Sequence, residues 1–165
     1  MDLDRHYLEM ALAQAEEAAA EGCLPIGAVI LGPDGQVLSL GRNRVATACD
    51  GTAHAEIDAI RRTGRFLFEP PYRDQCTLFT SLEPCPMCTG AILVSHLGRV
   101  VWATNDTGFG GFRAMRDAGL LPHRFARLAA REAPFPDLDH RQRVLLDAWR
   151  ARRGGTDPKW TVEGR

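Results

Sequence analysis

The chain has 165 residues, 45% hydrophobic and 25% charged, which supplies material for a core and matches the size of one domain. Its formal net charge of -1 lacks the basic excess of a general nucleic-acid binder. The opening Met1-Asp2-Leu3-Asp4-Arg5-His6 has no basic start followed by an apolar run, and no window approaches the roughly 18 apolar residues of a membrane span, so a cytoplasmic protein with no membrane contact is expected.

From Leu3 to Glu21, residues Leu8, Ala11, Leu12, Ala15, Ala18 and Ala19 recur at helical spacing, and Gly22 ends the run. Leu24 to Leu31 reads as a strand, Gly32-Pro33-Asp34-Gly35 as a turn and Val37 to Leu40 as the returning strand of a β-hairpin. After a polar loop from Arg42 to Thr52, helix is expected from His54 to Arg62, strand from Thr77 to Thr80, helix from Pro84 to His96 and strand from Val100 to Ala103. Phe112 to Gly119 reads as helix and Phe125 to Ala130 as strand. Asp139 to Arg153 closes the pattern as a helix with Val144, Leu145, Ala148 and Trp149 inward. Helix and strand alternate in the middle, which predicts an α/β chain with a mixed sheet between helix layers. Residues 1–165 read as a single domain, with only Gly154-Gly155 loosening the tail.

The chemistry concentrates in His54-Ala55-Glu56 and in Glu83-Pro84-Cys85-Pro86-Met87-Cys88. Five cysteines is an odd number, and a C-x-x-C pair this local argues for metal-ligating thiolates in a reduced compartment over a secreted disulfide framework. One imidazole and two thiolates give zinc three protein ligands and leave the fourth tetrahedral position open, the pattern of a catalytic site. Cys85 and Cys88 share one helix face, and Pro84 and Pro86 suit a first turn. Both sulfurs then lie at the positive end of the helix dipole, which favours thiolate. Glu56, two residues from His54, can enter the same pocket beside the metal and not on it. A lone H-x-E or a lone C-x-x-C would carry little, and a structural zinc site would need a fourth ligand. Cys76 is the candidate for that, on a strand where a small buried hydrophobe is the usual reading.

H-x-E with P-C-x-x-C is a known signature of zinc deaminases of nucleobases and nucleosides. With Pro25-Ile26-Gly27-Ala28, Asn43 and the run Thr80-Ser81-Leu82-Glu83-Pro84-Cys85-Pro86-Met87-Cys88-Thr89-Gly90-Ala91, the sequence resembles the cytidine and deoxycytidylate deaminase superfamily, in its branch of cytosine, guanine and tRNA-adenosine deaminases. The resemblance runs from the opening helix to about Trp102. It implies a three-layer α/β/α fold on a mixed five-stranded sheet, and one zinc held by His54, Cys85 and Cys88. It also implies Glu56 as the proton carrier in hydrolytic release of ammonia from an exocyclic amine. By the same resemblance Asn43 hydrogen-bonds the substrate, and the Ala55 backbone N–H meets a ring carbonyl. Glu83 supports the Cys loop. A homodimer is implied, formed through the Cys-bearing helix, where Ile92, Leu93 and Val94 would give apolar surface.

Substrate readings diverge. Fungal-type cytosine deaminases close the pocket with a C-terminal Trp followed three residues later by an acid, and Trp160-Thr161-Val162-Glu163 is similar in spacing. Phe109 or Phe112 could supply an aromatic wall. These features favour a small amino-heterocycle, cytosine-like or guanine-like, as free base or nucleoside. The tRNA alternative draws on Arg141, Arg143, Arg150, Arg152 and Arg153. However, Asn105-Asp106-Thr107-Gly108-Phe109-Gly110-Gly111 lacks the lysine of tRNA-type relatives, and Asp147 interleaves the arginines as on a solvated helix face. A non-catalytic zinc-containing binding module would require loss of the base or of a ligand, and all four residues are present.

Overall fold

The computed structural model describes residues 2–152. Helix α1 (Leu3–Ala20) starts where the Asp2 side chain accepts the Asp4 backbone N–H. The hairpin follows as β1 (Gly27–Leu31) and β2 (Val37–Arg42). The expected polar loop contains a short helix, α2 (Val45–Ala48), which has no buried residue and so no apolar stripe to announce it. Next come α3 (Ala55–Thr63), a 3-10 turn over Gly64–Phe68, β3 (Cys76–Thr80), α4 (Pro86–Val94) and β4 (Leu97–Trp102). Short helices α5 (Phe112–Asp117) and α6 (Pro122–Phe125) precede β5 (Ala129–Glu132) and the long α7 (Pro136–Arg152).

The sheet order is β2-β1-β3-β4-β5, with β1 antiparallel to both neighbours and β3, β4 and β5 parallel, so the expected mixed five-stranded sheet is observed. Alternation along the strands feeds two cores. Ala28, Ile30, Leu78, Val100 and Trp102 face Ala55 and Ala59 of α3 and Ile92 of α4. Val29, Phe79 and Val101 face Leu8, Ala11 and Leu12 of α1 and Leu138 of α7. These are the three layers of the expected α/β/α architecture. Gly41 lets α3 seat on β2: a Cβ there would stand 2.3 Å from the Ala55 carbonyl oxygen and 2.5 Å from the Ala59 nitrogen. No helix among the described residues is long and apolar enough to cross a membrane.

Three expectations are corrected. Strand β5 lies later than the predicted Phe125–Ala130 stretch, because Phe125 ends α6 and packs its ring on Phe112 at 5.2 Å. Helix α7 buries Leu138, Gln142, Leu146 and Trp149, leaving Val144 and Ala148 exposed and Leu145 only partly buried. The inward face is rotated from the predicted one, because the buried stripe includes a polar residue, Gln142, whose amide donates to the Pro25 carbonyl at 2.7 Å. In α4, Ile92 and Leu93 belong to the core of their own chain, and only Val94 of the proposed apolar surface is exposed, at 61%.

Candidate metal and active site

Two helix starts converge at one end of the sheet. His54 is the extended N-cap of α3, which places Ala55 and Glu56 in the first turn. Cys85 is the N-cap of α4, with Pro86 where no backbone donor is needed, and its sulfur accepts the Cys88 N–H at 3.5 Å. His54 Nδ1 lies 3.5 Å from Cys85 Sγ and 3.5 Å from Cys88 Sγ, and the three ligand atoms fall within 4.8 Å of one another. Bonds of about 2.3 Å to sulfur and about 2.0–2.1 Å to nitrogen around a tetrahedral zinc place N and S about 3.6 Å apart. The donor set therefore fits one zinc ion. Cys76 is buried away from this cluster, its thiol donating to the Tyr72 carbonyl and pushed up to about 11 by burial, as a structural cysteine would be.

The three donors and Glu56 perturb one another's titration. The Cys85 thiol is pulled down to about 4, first by its hydrogen bond with the Cys88 thiol and, against burial, by His54. Cys88 is pushed up in turn by Cys85 and by burial. His54 is raised chiefly by its contact with Cys85. Glu56 is 3% exposed with Oε2 at 3.4 Å from Cys88 Sγ, and burial pushes its carboxyl up to about 7. It stands beside the donor set without belonging to it.

A cavity of about 620 Å³ opens over this floor of His54, Glu56 and Cys85. Its apolar wall comes from Leu24, Ile26, Leu82, Phe109, Leu146 and Trp149, with Arg150 and Asp106 also lining it. Phe109, named from sequence, is there, 65% exposed. Phe112 is instead 1% exposed, packed on Trp102 at 5.0 Å. Ala55 is buried, at a helix position whose N–H has no intrahelical acceptor. Asn43 is 1% exposed, and its side-chain oxygen accepts the Val45 N–H at 3.2 Å, so one end of its amide holds the start of α2. Trp160, Glu163 and Arg153 lie outside the described residues. Sequence reasoning missed Leu146 and Trp149 as pocket residues; the rotated face of α7 hid the first of them.

Fold and donor set together define a zinc-binding α/β/α protein with a carboxylate beside the metal position. Residues 1–104 match the family model described as the cytidine and deoxycytidylate deaminase zinc-binding region, and the chain belongs to that family. It is 37% identical over 147 residues to the tRNA(Ile)-lysidine synthase of Deinococcus radiodurans, a match covering 76% of this chain and only 25% of that relative. It is 38% identical over 117 residues to the cytosine deaminase of Candida albicans, covering 71% of this chain and 77% of the relative. Among solved structures, one from work on A-to-I editing by tRNA:A34 deaminases at the wobble position of transfer RNA aligns with TM-score 0.69 and 28% identity, covering 86% of this chain and 99% of that chain.

Proposed function

We propose that the protein is a zinc-dependent hydrolytic deaminase whose substrate is a small amino-heterocycle, cytosine-like or guanine-like, taken as free base or nucleoside. The observation that carries this reading is the buried Glu56 carboxylate, 3.4 Å from a cysteine of the three-residue donor set at the floor of an apolar-walled cavity. His54, Cys85 and Cys88 hold the metal. When bound, zinc supplies the Lewis acidity that brings the pKa of a water to about 7.

The remaining steps belong to side chains of this chain. Buried beside the donor set, Glu56 takes a proton from the attacking water and passes it to the ring nitrogen beside the reacting carbon. It then takes the second proton, from the hydroxyl on the tetrahedral carbon, and delivers it to the amine as the C–N bond breaks, so that water and the amino-heterocycle become the carbonyl form and ammonia. The Ala55 N–H and the Asn43 amide orient the ring, and Phe109 and Trp149 cover its faces. Trp160 and Glu163 lie outside the described residues; their part in closing over the ring, and a second copy of the chain as partner, belong to this proposal on the sequence resemblance alone.

A tRNA substrate is the second reading, favoured by the alignment that covers 99% of a structure from tRNA:A34 deaminase work. Ammonia release from cytosine, guanine, adenine and their nucleosides tests both. Deamination of an RNA hairpin with no turnover of any base or nucleoside would overturn the first. Glu56→Gln should keep zinc and fold and lose about 10²–10⁴ in rate; activity within a few fold of wild type would remove Glu56 from its role.

A further inference from the structure

The geometry points to Glu83 as a positioning residue: through the Asp106 N–H, with Arg113 bracing its carboxylate, it fixes the loop 105–111 against the metal-ligand segment and thereby sets the pocket wall that carries Phe109. This rests on reading the cavity as the substrate pocket. The Glu83 side chain is 1% exposed and lines that cavity, yet it is fully engaged. Its Oε1 accepts the Arg113 backbone N–H at 3.0 Å. Its Oε2 accepts the Asp106 N–H at 3.1 Å, Arg113 Nε at 3.0 Å and Arg113 Nη2 at 2.9 Å. Three of these donors meet at Oε2 and one at Oε1, so both oxygens of the carboxylate are held by the segment that follows it.

What Glu83 holds reaches Phe109 in two steps. Asp106, fixed through its own N–H, accepts the N–H groups of Gly108 at 2.9 Å and Phe109 at 3.1 Å on Oδ1. On the far side of Phe109, Gly110 has no room for a side chain: a Cβ would lie 2.6 Å from Glu83 Oε2 and 2.3 Å from the Asp106 carbonyl oxygen. The Gly111 and Phe112 N–H groups both donate to the Pro84 carbonyl, at 2.8 and 3.2 Å. Pro84 immediately precedes Cys85, so the wall and the metal position share one short rigid reference.

Glu83→Gln in the full chain tests this, with Gly110→Ala as a second perturbation that keeps the carboxylate's chemistry but presses a Cβ between it and the loop. The readouts are zinc per chain, amide hydrogen exchange in 106–113 against 86–94, and KM and kcat for whichever ring of the cytosine, guanine, adenine and nucleoside panel is turned over. Both variants should retain zinc and exchange about tenfold faster in 106–113 alone. Both should raise KM about tenfold while kcat stays within about threefold. Arg113→Lys should restore part of what Arg113→Ala loses. Unchanged exchange in 106–113, unchanged KM, or zinc lost in step with activity would overturn the inference. If Glu83→Gln does not fold, the Gly110→Ala split decides. No turnover of any ring, nucleoside or RNA hairpin by the wild type would instead fell the pocket reading and the wall with it.

Discussion

Asp4 joins three elements of the sheet's outer half, and replacing it by Asn should cost stability in a pH-dependent way. Its carboxylate accepts Arg99 Nη1 and Nη2 of β4 at 2.7 and 2.6 Å, and Arg131 Nη1 of β5 at 2.5 Å. Hydrogen bonds to charged groups contribute about 1.5–3 kcal/mol, and breaking a fully buried pair costs about 3–5 kcal/mol. Asp4 is 10% exposed, but Arg99 and Arg131 keep 35% and 39% of their side-chain surface in solvent, so screening pulls the loss to about 2 kcal/mol. At about 2–4 °C per kcal/mol for a chain of this size, Tm should fall by about 4–8 °C at pH 7. The Arg99 hydrogen bonds, aided by Arg131 and opposed by burial, hold the Asp4 carboxyl below the ordinary aspartate range. The contribution is therefore complete above the unfolded-state value of about 3.9 and is lost as the pH falls through the lower folded-state value. Thermal unfolding of wild type and Asp4→Asn across pH should show two Tm curves converging in acid. Equal Tm at neutral pH, or a gap that persists undiminished to about pH 2, would refute the reasoning.

The donor set and its carboxylate were legible because each lies in a segment of a few residues whose spacing already contains the chemistry. His54 and Glu56 share one helix start and Cys85 and Cys88 another, and the fold needed only to bring the two together. The sheet was legible for a similar reason, since Ala28, Ile30, Leu78 and Val100 alternate with residues of the opposite face. Helix α7 was legible as a helix but not in its phase. Apolarity pointed to Val144 and Ala148, whereas a buried Gln142 hydrogen bond turns Leu146 inward. Strand β5 gave little signal because three of its four residues are exposed and none repeats an apolar period. Of the pocket wall only Phe109 was named from sequence, as Leu24, Leu82 and Trp149 come from separate segments that only the fold assembles. Ile92 and Leu93 misled as docking surface because an apolar helix residue looks the same whether it meets its own core or a second copy.

Cys88→Ala should abolish tight zinc binding by metal analysis, since it removes one of three donors; full retention would reject the donor set. Light scattering at micromolar concentration should show a homodimer, and a monomer would count against that partner. The two substrate readings separate on α7, which presents Trp149 to the cavity and carries Arg150, 63% exposed, and Arg152 at its end. If a small ring binds, the indole at the wall contributes by stacking, about 1–3 kcal/mol per base, so Trp149→Ala should raise KM about five- to 150-fold. Trp149→Phe should restore part of this, because the loss is of an aromatic face, and zinc content should stay unchanged throughout. Charge reversal of Arg152, which does not line the cavity, should then leave KM for that ring nearly untouched at any salt concentration. If RNA binds, these guanidiniums neutralise phosphates. Arg150→Glu with Arg152→Glu should in that case weaken binding across sequences and flatten its dependence on salt, by about one unit of slope for each phosphate no longer neutralised. A steep response to the charge reversals together with an unchanged KM in Trp149→Ala would show that the cavity serves a nucleic acid, and that the apolar wall is packing for α7 in place of a cover for a free ring.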